Sequence, residues 1–448
     1  MADRPNILYI FTDQQSGSAM SCAGNHDLHT PAADSLAEGG ARFDSAYCTY
    51  PLCTPSRASM FTGRMPHELD ITENGLPIPE RFRQQEMGWL FRNGGYDCGY
   101  GGKWHIPETS MPEGHGFAVV SPRDDTHLAQ RCIKFLQQKR DQPFLLVASF
   151  DNPHNICEWA RKQVLPWGDV PDAPTAQCPN LPANYPIPPF EPEILRREWR
   201  FNAFVYPTAE YSEEEWRHYR QAYFRLVEKV DAEVGRILEA LRELGLEDDT
   251  LVVYSSDHGD GHGGHRWSQK HALYDEPTRV PFLLRWPGVI PAGQVVTRLV
   301  SSGLDLLPTL CDYAGITAPA DLSGLSLRPL LEGREAPWRE QVVAETYIGR
   351  EKPWQGLGRM VVTDRYKYCV YGWGRYREQL FGRAADPGEM VNLAVDERYA
   401  GVLAEHRARL MAWIKETGDS FGAHRAHPGR AVVPGYAYEP EEEAPNGA

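Results

Sequence analysis

The sequence predicts an α/β protein with a large domain, whose mostly parallel or mixed sheet lies between helices, and a smaller C-terminal α+β subdomain with an antiparallel sheet. Apolar runs such as "NILYIFTD", "FLLVASFD" and "TLVVYSSD" alternate with helical segments, which is the pattern of a parallel sheet. Towards the C-terminus the strands follow one another closely and a helix comes last. The 448 residues are enough for a large core and two domains.

We place the boundary between the two domains where this pattern changes. The large domain is expected over residues 1–336, the subdomain over 337–420, and an irregular tail with an acidic end over 421–448. In the subdomain, "QVVAETY", "GRMVVTDRYKYCVYGW" and "YREQLFG" predict short strands joined by turns, and "RYAGVLAEHRARLMAWIKETG" predicts a helix.

Two helices and one insertion stand out in the large domain. In "SEEEWRHYRQAYFRLVEKVDAEVGRILEALRELGL", Ser212 and Glu215 form a capping box, and Gly245 can end the helix. The segment "SSGLDLLPTLCDYAGI" predicts a second packed helix. The proline-rich stretch between His154 and Tyr211 predicts a long insertion that wraps around the domain and could cover the mouth of a site.

Composition and charge exclude several classes of protein. The formal net charge of −15 and the lack of a broad basic stretch argue against nucleic-acid binding. The apolar run that begins at Ile7 ends at Asp13, which is too short to span a membrane, and it lacks the pattern of a signal peptide. Nine cysteines without regular spacing do not resemble a disulfide framework. We therefore expect a reduced, cytoplasmic protein that binds neither nucleic acid nor membranes.

Four of the predicted strands end in polar residues. In an open parallel sheet, ligands bind at the edge formed by the carboxyl ends of the strands. A single polar strand end would be an ordinary loop, but four of them together predict a site. They carry Asp13 and Gln14, Lys103 and His105, Asp151 and His154, and Asp257 and His258.

Two of these strand ends offer ligands for a divalent cation. Asp13, Gln14, Asp257 and His258 provide three oxygen donors and one nitrogen. Taken alone, "DHGDGHGGH" would be a glycine-rich surface loop with solvated histidines, but its pairing with the first strand favours a metal site. Two further histidines of this loop could face the leaving group of a substrate or could simply line the loop; they are His262 and His265.

A cysteine in "PLCTPSRASMFTGR" adds a nucleophile to this edge of the sheet. Pro55 suits the first turn of a helix and Gly63 can end it, so Cys53 would lie just ahead of a helix N-terminus. Arg57 follows one turn further on. Such a position attracts anions and activates thiols, although an ordinary helix start with a buried thiol gives the same pattern.

Basic side chains would complete the pocket. Each of them, considered singly, is more often a surface charge or a packed histidine. Around a cation and a helix N-terminus, they would bind the oxygens of a tetrahedral oxyanion. The candidates are Arg57, Lys103, His105, His154 and Lys270.

The motif "CTPSRASMFTGR" resembles the signature of the sulfatase family, the formylglycine-dependent type I sulfatases of the alkaline phosphatase superfamily. The resemblance extends to "PNILYIFTDQQ", "GGKWH", "NPH", "SSDHGD", "QKHALYDEPTRVPFLLRWPG" and "DPGEMVNLA". It implies the predicted fold and the hydrolysis of sulfate esters. It also implies that a maturation enzyme converts Cys53 to 3-oxoalanine (formylglycine), which then is both the nucleophile and a metal ligand.

The resemblance assigns roles to the residues around position 53. One hydroxyl of the formylglycine hydrate would attack sulfur, and the other would lose its proton and expel sulfate. Arg57 and Lys103 would hold this residue, and His105 would be the base that helps to expel sulfate. His154 would be the general acid.

The same resemblance implies how the substrate is bound. His154 and Lys270 would contact the sulfate and its bridging oxygen, and Asn74 in "ITENG" is a further substrate-binding candidate. The expected substrate is a small sulfated carbohydrate or an aryl or alkyl sulfate.

Two residues depart from the common pattern of the family, in which Asp and Asn are frequent where this chain has Gln14 and His258. These variants resemble the branch of phosphonate monoester hydrolases and phosphodiesterases, whose activity is the alternative function. That branch lacks the Lys-x-His pair, which this chain has as Lys103 and His105. The family implies Ca²⁺, while His258 would also suit Mn²⁺, and Mg²⁺ is a third candidate. A protein that only binds oxyanions or sugars would result if Cys53 were never converted.

Overall fold

The computed structural model describes residues 4–107, 111–202, 207–348 and 356–422. Its strands and helices are numbered here in chain order. The strands are β1 (Asn6–Asp13), β2 (Ala41–Phe43), β3 (Ala46–Tyr47), β4 (Asp97–Gly102), β5 (Ala118–Ser121), β6 (Phe144–Pro153), β7 (Thr250–Ser256), β8 (Phe282–Arg285), β9 (Gln294–Val296), β10 (Val300–Ser301), β11 (Gln341–Ile348), β12 (Gly356–Thr363), β13 (Tyr366–Tyr371) and β14 (Glu378–Gly382). The helices are α1 (Pro31–Glu38), α2 (Cys53–Thr62), α3 (Met87–Asn93), α4 (Asp125–Leu136), α5 (Ile156–Ala160), α6 (Glu193–Asn202), α7 (Glu213–Glu243), α8 (Asp275–Thr278), α9 (Ser302–Ala314), α10 (Arg328–Leu331) and α11 (Ala400–Thr417).

The main sheet has eight strands in the order β5-β4-β6-β1-β7-β8-β2-β9. The first five run parallel, β8 runs antiparallel to both of its neighbours, and β9 is parallel to β2. This confirms the predicted mostly parallel or mixed sheet. The four strands that were predicted to end in polar residues are β4, β6, β1 and β7, which are consecutive in this order.

Helices cover both faces of the main sheet, because its central strands are apolar on both sides. In β1, Ile7, Tyr9 and Phe11 belong to one buried cluster, and Leu8 and Ile10 belong to another. The first cluster includes side chains of α2, α3 and α9, and the second includes side chains of α1, α4 and α7. Burial on both faces is typical of parallel sheets.

The long helix α7 begins where its capping box predicts. The Ser212 hydroxyl accepts a hydrogen bond from the Glu215 N–H (3.2 Å), and the Glu215 carboxylate accepts one from the Ser212 N–H (2.8 Å). Beyond the C-terminal end, Gly245 adopts a left-handed φ of 67°. The proline-rich insertion packs against this helix, with Leu165 and Tyr185 in the same buried cluster as Trp216.

The C-terminal region contains the predicted antiparallel sheet, in the order β11-β12-β13-β14, and helix α11 packs against it. The Thr346 hydroxyl donates to the His271 carbonyl (2.8 Å), and the Leu273 N–H donates to the Tyr371 hydroxyl (3.2 Å). The second sheet therefore supports the segment that follows Lys270. Most of the predicted tail, from residue 423 onwards, lies outside the described residues. Among the helices described, none is both long enough and apolar enough to cross a membrane.

A buried lysine fastens this second sheet to the large domain. The Lys367 ammonium lies 2.8 Å from an Asp275 carboxylate oxygen and 2.6 Å from a Glu389 carboxylate oxygen. Burial alone would lower the pKa of Lys367, but these two carboxylates raise it well above its ordinary value. The lysine therefore stays charged between the buried Glu389 and the half-buried Asp275, which also lies 3.6 Å from Nε of Arg279.

Replacing Lys367 by methionine should destabilise the protein, because it removes the ammonium that the buried Glu389 and the half-buried Asp275 share. We expect Lys367→Met to lower the free energy of unfolding by about 3–5 kcal/mol. Urea denaturation followed by circular dichroism measures this change. The matched control is Lys415→Met on the exposed face of α11, which should change stability by less than about 0.5 kcal/mol. A loss below about 1 kcal/mol for Lys367→Met would contradict the role assigned to this ion pair.

Candidate active site

The carboxyl ends of the central strands bring the predicted residues into one buried cluster. Asp13 is the last residue of β1, Lys103 directly follows β4, and Asp257 directly follows β7. The Lys103 ammonium lies 2.9 Å from Asp13 Oδ2, and the Cys53 sulfur lies 3.6 Å from Asp13 Oδ1. The strand ends and the cysteine motif, which are far apart in sequence, therefore form a single site.

Helix α2 begins at Cys53 itself, whereas the sequence predicted a helix that starts just after it. Leu52 is extended, and Gly63 ends the helix with a left-handed φ of 68°, as predicted. Asn74 accepts a hydrogen bond from the Thr54 N–H through its side-chain oxygen (2.9 Å), which satisfies one of the free donors of the first turn. Asn74 is exposed, and its contact with substrate stays a prediction.

The Cys53 thiol is surrounded by charged groups. Its sulfur lies 3.2 Å from the Lys270 ammonium and 3.2 Å from Nε2 of His258. Burial and the carboxylate of Asp13 would raise the pKa of Cys53, but Lys270, His258 and Lys103 together hold it well below its ordinary value. The site therefore stabilises negative charge on the side-chain atom at position 53, which is what a nucleophile requires.

Arg57 organises the two aspartates of the cluster. Its Nη2 donates to Asp13 Oδ2 (2.8 Å) and its Nε donates to Asp257 Oδ2 (2.8 Å). Its Nη1 donates to the Lys103 carbonyl (2.6 Å) and to the Ser149 hydroxyl (3.0 Å). These four bonds fix the two carboxylates and leave one N–H donor on Nη2, and the contact predicted between Arg57 and position 53 stays a prediction.

Four of the predicted residues are suited to binding a divalent cation. Ligand atoms of Asp13, Cys53, Asp257 and His258 all lie within 4.8 Å of one another, and all four side chains are buried. Nδ1 of His258 lies 3.0 Å from the Gly259 carbonyl oxygen, which leaves Nε2 facing the cluster. Burial opposes charge on His258, but Asp257 and Cys53 raise its pKa. The negative groups that surround Nε2 of His258 fit a cation. A cation bound to Nε2 would displace the proton that the raised pKa favours on this nitrogen.

Gln14 lies beside the cluster with a left-handed φ of 75°. Its backbone N–H donates to Asp257 Oδ1 (3.1 Å), and its side-chain Nε2 donates to Asp260 Oδ2 (2.7 Å). The ligand role predicted for its side-chain oxygen stays a prediction.

Asp151 is a site residue to which the sequence analysis gave no role of its own. Its carboxylate lies 3.0 Å from the Lys103 ammonium, so this lysine bridges Asp151 and Asp13. Burial would raise the pKa of Asp151, but Lys103, His154 and Arg123 hold it well below its ordinary value. Its place at the end of β6 was the available signal, since that strand end had been predicted to reach the site.

Two of the predicted site histidines have a ring nitrogen that forms no hydrogen bond with the described residues. Nδ1 of His105 and Nδ1 of His154 are buried and have no hydrogen-bond partner among the described residues. Burial, together with the charges of Lys103 and Lys270, lowers the pKa of His154 to about 3. At pH 7 the His154 imidazole is therefore uncharged in the substrate-free site. The acid and base roles predicted for the two histidines stay predictions.

The fold and this cluster define an α/β enzyme that acts on an anionic ester. The chain belongs to the sulfatase family: the family model described as Sulfatase matches residues 5–316, and the model described as N-sulphoglucosamine sulphohydrolase, C-terminal, matches residues 263–416. The protein is a sulfatase, a sulfuric ester hydrolase.

Individual relatives agree with this assignment. The chain is 33% identical to the Delta 4,5-hexuronate-2-O-sulfatase of Bacteroides thetaiotaomicron, over 99% of this chain and 95% of that protein. The solved structure of a 2-O GAG sulfatase matches with a TM-score of 0.83 and 32% identity, over 94% of each chain. The phosphonate monoester hydrolase of Agrobacterium radiobacter shares the fold, with a TM-score of 0.73 and 23% identity, over 92% of this chain and 96% of that one.

Two histidines whose role the sequence left open are packed inside the loop after β7. His262 stacks against the Tyr223 ring, with centroids 5.4 Å apart, and His265 stacks against the Tyr274 ring at 3.7 Å. Burial and the charge of Arg220 lower the pKa of His262 to about 3. Both histidines therefore line the loop, which is the second of the two alternatives.

His262 should make the protein sensitive to acid. Its pKa is lower in the folded state than the ordinary value near 6.5, so the stability it contributes is present above about pH 6.5 and is lost as the pH falls towards 3. We expect His262→Asn to flatten the dependence of unfolding free energy on pH by about 1.4 kcal/mol per pH unit between about pH 5.5 and pH 4. Urea denaturation at several pH values measures this slope. The exposed His26 provides the control variant His26→Asn, and equal slopes in both variants and the wild type would contradict the prediction.

Proposed function

We propose that this sulfatase hydrolyses an O-sulfate ester of a small carbohydrate, with formylglycine derived from Cys53 as the nucleophile and a divalent cation beside it. One observation carries the proposal: the sulfur of Cys53 lies 3.2 Å from both Nε2 of His258 and the Lys270 ammonium, inside the cluster that fits a cation. This buried cluster therefore contains the nucleophile, the cation ligands and a positive group that can bind the sulfate oxygens.

The bound cation would acidify a hydroxyl at position 53, and the formylglycine hydrate would supply that hydroxyl. The chain's own residues would do the rest. Lys103 and Lys270 would stabilise the negative charge that builds up on the sulfate oxygens. Both lysines are buried, so water screens their charges little. Lys103 cannot swing away, since Asp13 and Asp151 both bind its ammonium.

Proton transfer would fall to His105 and His154, whose Nδ1 atoms are buried and have no hydrogen-bond partner among the described residues. His105 follows Lys103 by two residues, and its carbonyl accepts a hydrogen bond from the Thr54 hydroxyl (2.6 Å), which ties it to the start of α2. We assign to it the removal of a proton from the group at position 53. Burial, Lys103 and Lys270 keep His154 neutral in the free site, and we assign to it the general-acid role: the imidazole would take up a proton once the anionic sulfate group lies beside it, and would give that proton to the bridging oxygen as the ester bond breaks.

The substrate class follows from the relatives. One is named as a Delta 4,5-hexuronate-2-O-sulfatase and one solved structure is described as a 2-O GAG sulfatase. We propose an unsaturated hexuronate 2-O-sulfate as the first substrate to test, Ca²⁺ as the first metal and Mn²⁺ as the second. A cytoplasmic location and the action of a maturation enzyme on Cys53 belong to the same proposal.

A phosphodiester or phosphonate monoester is the second candidate substrate. Gln14 and His258 favour it, because they are the residues that resemble the phosphonate monoester hydrolase branch. Lys103 and His105 favour sulfate, and Lys103 lies in the centre of the cluster. Identity of 23% to the Agrobacterium enzyme supports a common fold and does not decide between the two substrates.

A comparison of two substrate classes tests this proposal. We expect kcat/KM for a hexuronate 2-O-sulfate, or for an aryl sulfate, to exceed that for a matched aryl phosphodiester by at least about tenfold, which corresponds to about 1.4 kcal/mol of transition-state binding. Cys53→Ala should lower kcat for the sulfate ester by at least about a thousandfold, because the nucleophile is lost. The matched control is Cys132→Ala, since Cys132 is also buried but lies in α4, within the cluster that packs against the other face of the sheet from α2. Dominant phosphodiesterase activity, or full activity in Cys53→Ala, would contradict the proposal.

A further inference from the structure

Asp260 is a buried carboxylate that lies just outside the cation cluster and receives hydrogen bonds from several sides. Its Oδ2 accepts from Nε2 of Gln14 (2.7 Å) and from the Gln269 N–H (3.0 Å). Its Oδ1 accepts from the His262 N–H (2.7 Å), and the Tyr219 hydroxyl donates to the same carboxylate (3.0 Å to Oδ2). Every group that faces Asp260 in these contacts is a donor, so Asp260 acts as an acceptor on both of its oxygens.

This arrangement decides which end of the Gln14 amide faces which way. An amide has a donor end and an acceptor end, and the reversed orientation would bring the Gln14 oxygen within 2.7 Å of a carboxylate oxygen. Gln14 is fully buried, so water cannot relieve such a contact. The Cys157 sulfur lies 3.6 Å from the Gln14 nitrogen and 3.9 Å from its oxygen, so this thiol is only a weak partner for either end of the amide, and the oxygen is able to bind another group.

We propose that Asp260 is a positioning residue that orients the Gln14 amide so that its oxygen, and not its nitrogen, is available to the divalent cation. The inference rests on the cation centre of the proposed function. It explains why an amide can serve at a position where a carboxylate is common in the family. A carboxylate presents an oxygen in either orientation, whereas an amide needs a partner that holds its nitrogen away from the cation.

A double-mutant cycle on metal affinity tests this role without relying on catalysis. The change Asp260→Asn is made in the wild-type chain and in the Gln14→Glu variant, and the dissociation constants of Ca²⁺ and Mn²⁺ are measured by isothermal titration with the metal alone. In the wild-type chain, Asp260→Asn should weaken binding by about tenfold or more, because asparagine offers a donor as well as an acceptor and the Gln14 amide can then turn round. In the Gln14→Glu variant the same change should not weaken binding and should instead strengthen it, because the introduced asparagine relieves the repulsion between two buried carboxylates and can donate to the glutamate.

The outcomes separate this inference from the proposed function. Wild-type protein that binds neither metal would overturn the cation centre, and this inference with it. Wild-type binding with an equal loss from Asp260→Asn in both backgrounds would overturn only the positioning role, because a merely structural aspartate would act in both. Tyr219→Phe is the control for disturbed packing around Asp260, and it should leave metal affinity within about threefold. If Asp260→Asn fails to fold, as judged by its melting temperature, Asp260→Ala takes its place in the same cycle with the same expected results.

Discussion

The site depends on the way in which one buried arginine divides the oxygens of two aspartates. Arg57 takes Oδ2 of Asp13 and Oδ2 of Asp257, each at 2.8 Å, and this leaves both Oδ1 atoms to face the centre of the cluster. Oδ1 of Asp13 then lies near the Cys53 sulfur, and Oδ1 of Asp257 accepts from the backbone N–H groups of Gln14 and His258. Two carboxylates this deep in a protein would otherwise not stay charged together.

The two aspartates that Arg57 binds differ in how well the cluster stabilises their negative charge. Burial opposes charge on Asp13, but Lys103, His154, Arg57 and Lys270 hold its pKa well below the ordinary value. Burial and the neighbouring Asp13 raise the pKa of Asp257 to about 6, in spite of His258 and Arg57. The positive groups around Asp257 therefore do not fully compensate its negative charge, and a divalent cation would supply the missing positive charge. The C-terminal sheet contributes from a distance, because it supports the segment that follows Lys270.

The sequence predicted the residues of the site better than it predicted their tasks. The strand ends and the start of α2 were predictable, because apolar runs, a proline and a glycine determine local structure. The contact of Arg57 with both aspartates was not, since it joins residues about 44 and 200 positions apart through directions that only the folded core fixes. The same holds for Asp151 and Asp260, whose partners lie far away in the chain. His262 and His265 show the converse, because histidines beside a metal motif in sequence turned out to be packed against aromatic rings.

The central claim is that the buried cluster around position 53 makes formylglycine act as a nucleophile. The most direct test is mass spectrometry of the tryptic peptide that contains Cys53, from active protein purified after co-expression with a formylglycine-generating enzyme. We predict that the aldehyde form is present and that sulfatase activity rises in proportion to its fraction across preparations. Sulfate ester hydrolysis by protein in which Cys53 is entirely a thiol would contradict this account.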